Sequence, residues 1–224
     1  MAIARGLLSA SPMHMIMHEL CASEQFFYRY VDARDALERL AERIMSFYEA
    51  ALECTLQCDA EAVLWGANYD QDLTWPAFFS DQITPWLQHA SERLHSAGKV
   101  MFTHCDGEND AVTELLLESG ADVAESICPA PMTKLGLAGL RGRWGTTVAI
   151  CGGIPSGTRD PPGKLVEPSP RNNRVLVSSG AGRPGTPSLP RLRWAMAGWF
   201  RGPSPLGVIQ TISPRFMSMA VIRP

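Results

Sequence analysis

Three side chains carry most of the chemistry in this chain: His104, Asp106 and Glu125. His104 and Asp106 lie in His104-Cys105-Asp106-Gly107, directly after the apolar run Val100 to Thr103, and Glu125 follows the shorter run Val123 to Ala124. An imidazole and a carboxylate two residues apart face the same side of an extended backbone. Together they make a partial metal site, to which Glu125 adds a third ligand or, once desolvated, a general acid or base. The competing reading is that His104 and Asp106 hydrogen-bond a substrate or each other. If the two runs are neighbouring parallel strands, all three groups project into one crevice, because ligands gather at the carboxyl ends of strands in such sheets.

The elements around these residues alternate in a βα rhythm. A short strand is expected within Ala2 to Leu8, followed by a short helix over Met13 to Leu20 at the mouth of a pocket. Asp32 reads as the N-cap of a helix of about five turns, whose apolar stripe is Leu37, Leu40, Ala41, Ile44, Phe47, Tyr48 and Ala51. Ala62 to Gly66 reads as a strand, and Leu73 to Phe79, with Trp75-Pro76, as an ordered loop over the site. Thr84-Pro85 predicts a helix start, Trp86, Leu87, Ala90 and Leu94 its buried stripe, and Gly98 its end. Asp110 caps a helix that Gly120 ends, a strand covers Asp122 to Glu125, and a helix over Thr133 to Trp144 leads to a strand at Thr147 to Cys151. Strand starts near 62, 100, 122 and 147 with helices between them predict a parallel sheet. Every strand ends in a polar or Gly-rich loop, which fits the working face of a βα-barrel. A closed eight-stranded barrel needs about 250 residues, so the fold class expected is α/β, a partial TIM (β/α)8 barrel of about five βα units with an irregular C-terminal tail.

Charge divides the chain sharply. Residues 1–156 hold 10 Lys/Arg against 21 Asp/Glu, while residues 157–224 hold 10 against 2, so the overall charge of -3 conceals an acidic part and a basic one. All six cysteines and all five histidines fall in the first part. The second part is rich in Pro, Gly and Arg, and is expected to be disordered or to derive from a frameshift, given its abrupt onset after Gly152-Gly153-Ile154-Pro155-Ser156. Its arginines are spaced singly with little aromatic interleaving, so no nucleic-acid partner is expected. No apolar run reaches the roughly 20 residues that span a bilayer, which predicts no membrane partner and a cytoplasmic location.

Several short stretches resemble, in order and spacing, the uroporphyrinogen decarboxylase superfamily: Ser11-Pro12, Asn68-Tyr69-Asp70, Thr84-Pro85-Trp86, Gly98-Lys99, His104-Cys105-Asp106-Gly107, Gly120-Ala121-Asp122, Glu125-Ser126 with Pro129-Ala130-Pro131-Met132, and Gly152-Gly153-Ile154-Pro155. The superfamily includes the decarboxylase of haem biosynthesis and cobalamin-linked methyltransferases. The resemblance covers residues 1–156 and implies a TIM barrel acting on a tetrapyrrole or a methyl donor. It implies His104, Asp106 and Glu125 as catalytic residues, and His18, Asn68, Tyr69, Asp70, Gly152 and Gly153 around the substrate. Gly152-Gly153 would let backbone N–H groups approach an anion. In the methyltransferase branch, zinc is held by a His-x-Cys pair and a distant late Cys. Here Asp106 stands two after His104 and Cys105 one, leaving His104 and Asp106 as the metal pair. The implied cofactors are zinc and a corrinoid-bound methyl donor, and the implied partner is a corrinoid protein.

Other candidates have plainer readings. Cys54 and Cys58, four apart, are packing thiols or a metal or disulfide pair; Cys128 and Cys151 are expected buried at strand ends, with an approach to the site as the alternative; His89 and His95 are expected on a helix surface. Three functions remain open: a lyase or methyltransferase of this superfamily, a non-catalytic binding scaffold, and a non-functional truncated product.

Overall fold

The computed structural model describes residues 2–129 and 132–152. The chain runs β1 (Ile3–Arg5), α1 (Pro12–Met15), a π-helical turn Ile16–Leu20, α2 (Ser23–Asp32), α3 (Arg34–Gln57), β2 (Ala62–Ala67) and α4 (Pro76–Phe78). It continues through a second π-helical turn, Phe79–Ile83, into α5 (Thr84–Ser96), β3 (Val100–His104), a 3₁₀ turn Asp110–Val112, α6 (Thr113–Glu118), β4 (Val123–Ile127), α7 (Leu137–Trp144) and β5 (Ala149–Gly152). The strands form one sheet in the order β1-β2-β3-β4-β5, with every neighbouring pair parallel. Parallel neighbours need a crossover, and each of the four connections carries at least one helix.

Alternation along the strands sorts side chains into two sets. Val63, Trp65, Met101, Ala124 and Ile150 belong to the large core shared with the helices, which also holds Leu52, Leu87, Leu94, Leu116 and Leu140. Ala62, Val100, Phe102, Val123 and Ala149, with Leu64 and Cys151 against them, form a second cluster that contains no helix residue among the described residues. Burying each large apolar side chain in the first set contributes about 1.5–3 kcal/mol, so helix packing is the main force holding the sheet.

Two interruptions of this alternation sit where the site is. Between β2 and β3, Leu64 pairs with Phe102 and Ala67 with His104, so Trp65 and Gly66 oppose Thr103 alone. Between β4 and β5, Ala124 pairs with Ile150 and Ile127 with Gly152, so Glu125 and Ser126 oppose Cys151 alone. Both are β-bulges, which re-aim side chains locally. A Cβ at Gly66 would run into the Tyr69 hydroxyl, so glycine there makes room for that ring.

The helices depart from the sequence reading in instructive ways. Asp32 is no N-cap: it is the last residue of α2, and α3 starts after Ala33 at φ -143. Of the expected α3 stripe, Leu37 and Tyr48 are buried, but Phe47 is 53 % exposed. Tyr48 instead fixes the loop after β1, donating its hydroxyl to the carbonyls of Ser9 and Ser11 at 3.0 and 2.8 Å. The stretch 73–79 is not a loop over the site. Trp75 and Phe78 stack with Phe26, Phe27 and Tyr30 of α2, and Pro76 opens a helix that continues through the π turn into α5. Thr84 lies inside that helix, with helical φ of -53, and its hydroxyl makes no cap bond. Asp110 does not cap α6 either, since it occupies the 3₁₀ turn before it. The helix-to-strand turns at Gly98, Gly120 and Gly145 do take left-handed backbone, as helix-ending glycines commonly do.

Candidate functional site

Register brings His104 and Glu125 together. They are direct partners across β3 and β4, at the carboxyl end of the sheet, and His104 Nδ1 lies 2.5 Å from Glu125 Oε2. With an ionised carboxylate, which only accepts, and a neutral imidazole, Nδ1 donates to Glu125 and Nε2 keeps its lone pair. The side chains are 15 % and 29 % exposed, enough for a ligand to reach them and little enough to strengthen the bond. Glu125's second oxygen accepts from the Ser126 hydroxyl at 2.8 Å. The carboxylate is held at both oxygens and therefore orients His104, where the sequence suggested a ligand or a proton carrier.

Asp106 is separate from this pair. Its Oδ1 accepts from the Cys128 thiol at 3.0 Å, so the carboxylate faces the end of β4 and not His104. Burial and the bond to Asp106 push the Cys128 thiol up to about 11. Cys105 is buried and raised further by burial and by Glu125. Cys151, only partly buried where full burial was expected, is pushed up to about 12 by desolvation and by the same carboxylate. None of the three is a ready thiolate. Arg5, at the end of β1, is lowered by burial, an effect that attraction to Glu125 partly offsets. Glu125 thus exerts its charge on groups of β1, β3 and β5.

The expected substrate residues are distributed unevenly. Asn68 is beside the pair: its N–H donates to the His104 carbonyl at 3.0 Å, from a left-handed φ of 60. Tyr69 is fully buried, its hydroxyl 2.8 Å from Thr103 Oγ1 and its ring beside Phe79, so it forms a wall and offers no atom to a ligand. Asp70 accepts from the N–H groups of Asp72 and Glu108 at 2.9 and 3.2 Å, stitching the loops after β2 and β3 together. His18 is exposed on the π-helical turn, its ring 5.6 Å from that of His14. Gly152 has a packing reason to be glycine, since a Cβ would strike the Ile127 backbone. Gly153 and the tail lie outside the described residues.

Zinc takes four ligands, three of them from protein in catalytic centres. Among the described residues no three His, Cys, Asp or Glu side chains are placed to hold an ion, so His104 and Asp106 do not make such a centre on their own. Cys54 and Cys58 are free, the latter donating to the Thr55 carbonyl. His95 is no plain surface residue, because it pairs with the buried Asp122. Sequence reasoning named Ser126 and Cys128 without these partners and passed over Arg5. Arg5 had a visible signal, as the one charge within the run Ala2 to Leu8.

Fold and site define an α/β protein with a histidine–carboxylate pair at the carboxyl ends of adjacent parallel strands. In structure the chain is similar to a methyltransferase from Methanosarcina mazei, with a TM-score of 0.56 and 17 % identity over 72 % of this chain and 45 % of that one. The chain spans less than half of that protein's length, and at this identity the likeness is one of fold. No protein-family model and no curated protein matches the chain. Among the described residues no helix is long and apolar enough to cross a membrane.

Proposed function

We propose that residues 1–156 form part of a (β/α)8 barrel of the uroporphyrinogen decarboxylase superfamily, of the methyltransferase type, with His104 as the proton acceptor at its mouth. The supporting observation is the 2.5 Å bond from His104 Nδ1 to Glu125, which presents Nε2 as a base. The fold likeness to a methyltransferase favours this branch over decarboxylation. In this reading Nε2 takes the proton of an acceptor thiol, the sulfur attacks the methyl carbon, and the donor leaves with the bonding pair. Glu125 stabilises the imidazolium that forms. The donor is a corrinoid-bound methyl group delivered by a partner protein, and it enters as substrate.

A second reading, a binding scaffold without catalysis, is favoured by one observation: Asp70 and Asp106 are both engaged by protein donors. Thiol methylation by the purified full chain, with methylcobalamin and a small thiol, separates the two. Turnover that disappears in His104→Ala supports the enzyme. Tetrapyrrole binding without turnover supports the scaffold, and neither activity nor binding ends both readings.

A further inference from the structure

Ser126 and Asn68 are the two non-glycine residues with left-handed backbone among the described residues, and both adjoin the His104–Glu125 pair. A residue bearing a Cβ is held at φ 60 only where its surroundings impose that conformation, and such positions cluster at functional sites. In Ser126 the imposing feature is the bulge. Val123 lies in the cluster without helix residues, and Ala124 and Ile127 lie in the helix-packed core, so two residues instead of one separate the successive helix-facing positions. In unbroken alternation, position 126 would share the face of Ala124 and turn its hydroxyl from the preceding glutamate. The bulge instead brings the Ser126 hydroxyl to Glu125 Oε1 at 2.8 Å, while Oε2 meets His104.

We infer that Ser126 is a positioning residue whose bulged, left-handed backbone and hydroxyl fix the Glu125 carboxylate and, through it, the proton-bearing nitrogen of His104. A glutamate side chain has three rotatable bonds, and one hydrogen bond leaves its carboxylate free to swing. Bonds at both oxygens remove that freedom. The role rests on the reading of His104 Nε2 as the reacting atom, but its test needs no turnover.

Long-range proton–nitrogen NMR of the full chain, at a pH where the imidazole is neutral, reports which nitrogen of His104 carries the proton. The wild type should show Nδ1–H. Ser126→Gly keeps the left-handed backbone without the hydroxyl, and should lose Nδ1–H as the dominant form while melting no lower than wild type. Ser126→Asn, tolerant of that backbone and able to donate an amide N–H, should restore it; Ser126→Asp, without a donor, should not. An unchanged tautomer in Ser126→Gly overturns the proposal. If that variant fails to fold, equal tautomers in the Asn and Asp variants overturn it. A wild type lacking Nδ1–H would instead remove the His104–Glu125 pairing, a separate failure of the proposed function.

Discussion

His95 Nε2 lies 2.8 Å from Asp122 Oδ2, at the opposite end of β3 and β4 from the His104–Glu125 pair. The same carboxylate oxygen accepts the Met101 N–H at 2.8 Å, so Asp122 closes the amino ends of the two strands. Asp122→Ala leaves a buried N–H without an acceptor, and should cost about 1–3 kcal/mol in urea unfolding. His95→Ala, which keeps the Met101 bond, should cost less. Equal losses would mean that the backbone bond contributes nothing.

Glu125→Gln keeps the shape of the side chain but removes the charge that holds His104. On the proposed mechanism, methyl transfer should fall about 10–100-fold, as when an orienting partner is lost. His104→Ala should fall further, about 10²–10⁴-fold, the range for losing a general base. If Glu125→Gln retains full rate while His104→Ala does not, the orienting role of Glu125 is wrong.

Thiol reactivity should separate the cysteines. Cys54 is exposed, whereas Cys128 and Cys151 are pushed up to about 11 and 12. At neutral pH iodoacetamide should label Cys54 first, with labelling of Cys128 rising only toward pH about 11. The raised folded values favour the neutral thiols, so their contribution to stability is complete below the unfolded value of 9.0 and is lost as pH rises through about 11 and 12. Thermal melts from pH 9.0 upward should fall, and fall less in Cys128→Ser.

Acid stability should depend on His14. It is fully buried, accepts the Ala10 N–H at Nδ1, and is lowered to about 3 by desolvation and then by His18. A depressed folded value contributes stability that is complete above the unfolded value of 6.5 and is lost as pH falls toward about 3. His14→Phe should flatten the decline of melting temperature across that window. Parallel curves for the two proteins would contradict the assignment.

The strands were legible because Val100-Met101-Phe102 and Ala149-Ile150 are short apolar runs set off by glycine turns. The adjacency of His104 and Glu125 followed from parallel order alone. Helix starts were misread where two rules competed. Pro85 does sit in the first turn of α5, but Thr84 before it is no cap, because the π turn Phe79–Ile83 runs straight into the helix and leaves Thr84 at a helical φ of -53. Asp32 looks like a cap, yet the aromatic face of Phe26 and Tyr30 had already built a helix before it. Glu125's part as the orienter of His104 was hidden for another reason. It depends on a two-against-one register between β4 and β5, and residue types within one strand do not encode that count.

That count has an evolutionary side. Deleting Ser126 would leave β4 long enough to pair and restore strict alternation, with Ile127 still on the helix-packed side and Glu125 on the other. A single-codon deletion there would keep the apolar faces in place and remove the hydroxyl that meets Glu125 Oε1. Comparisons of this strand with other proteins must therefore place gaps by face and not by length.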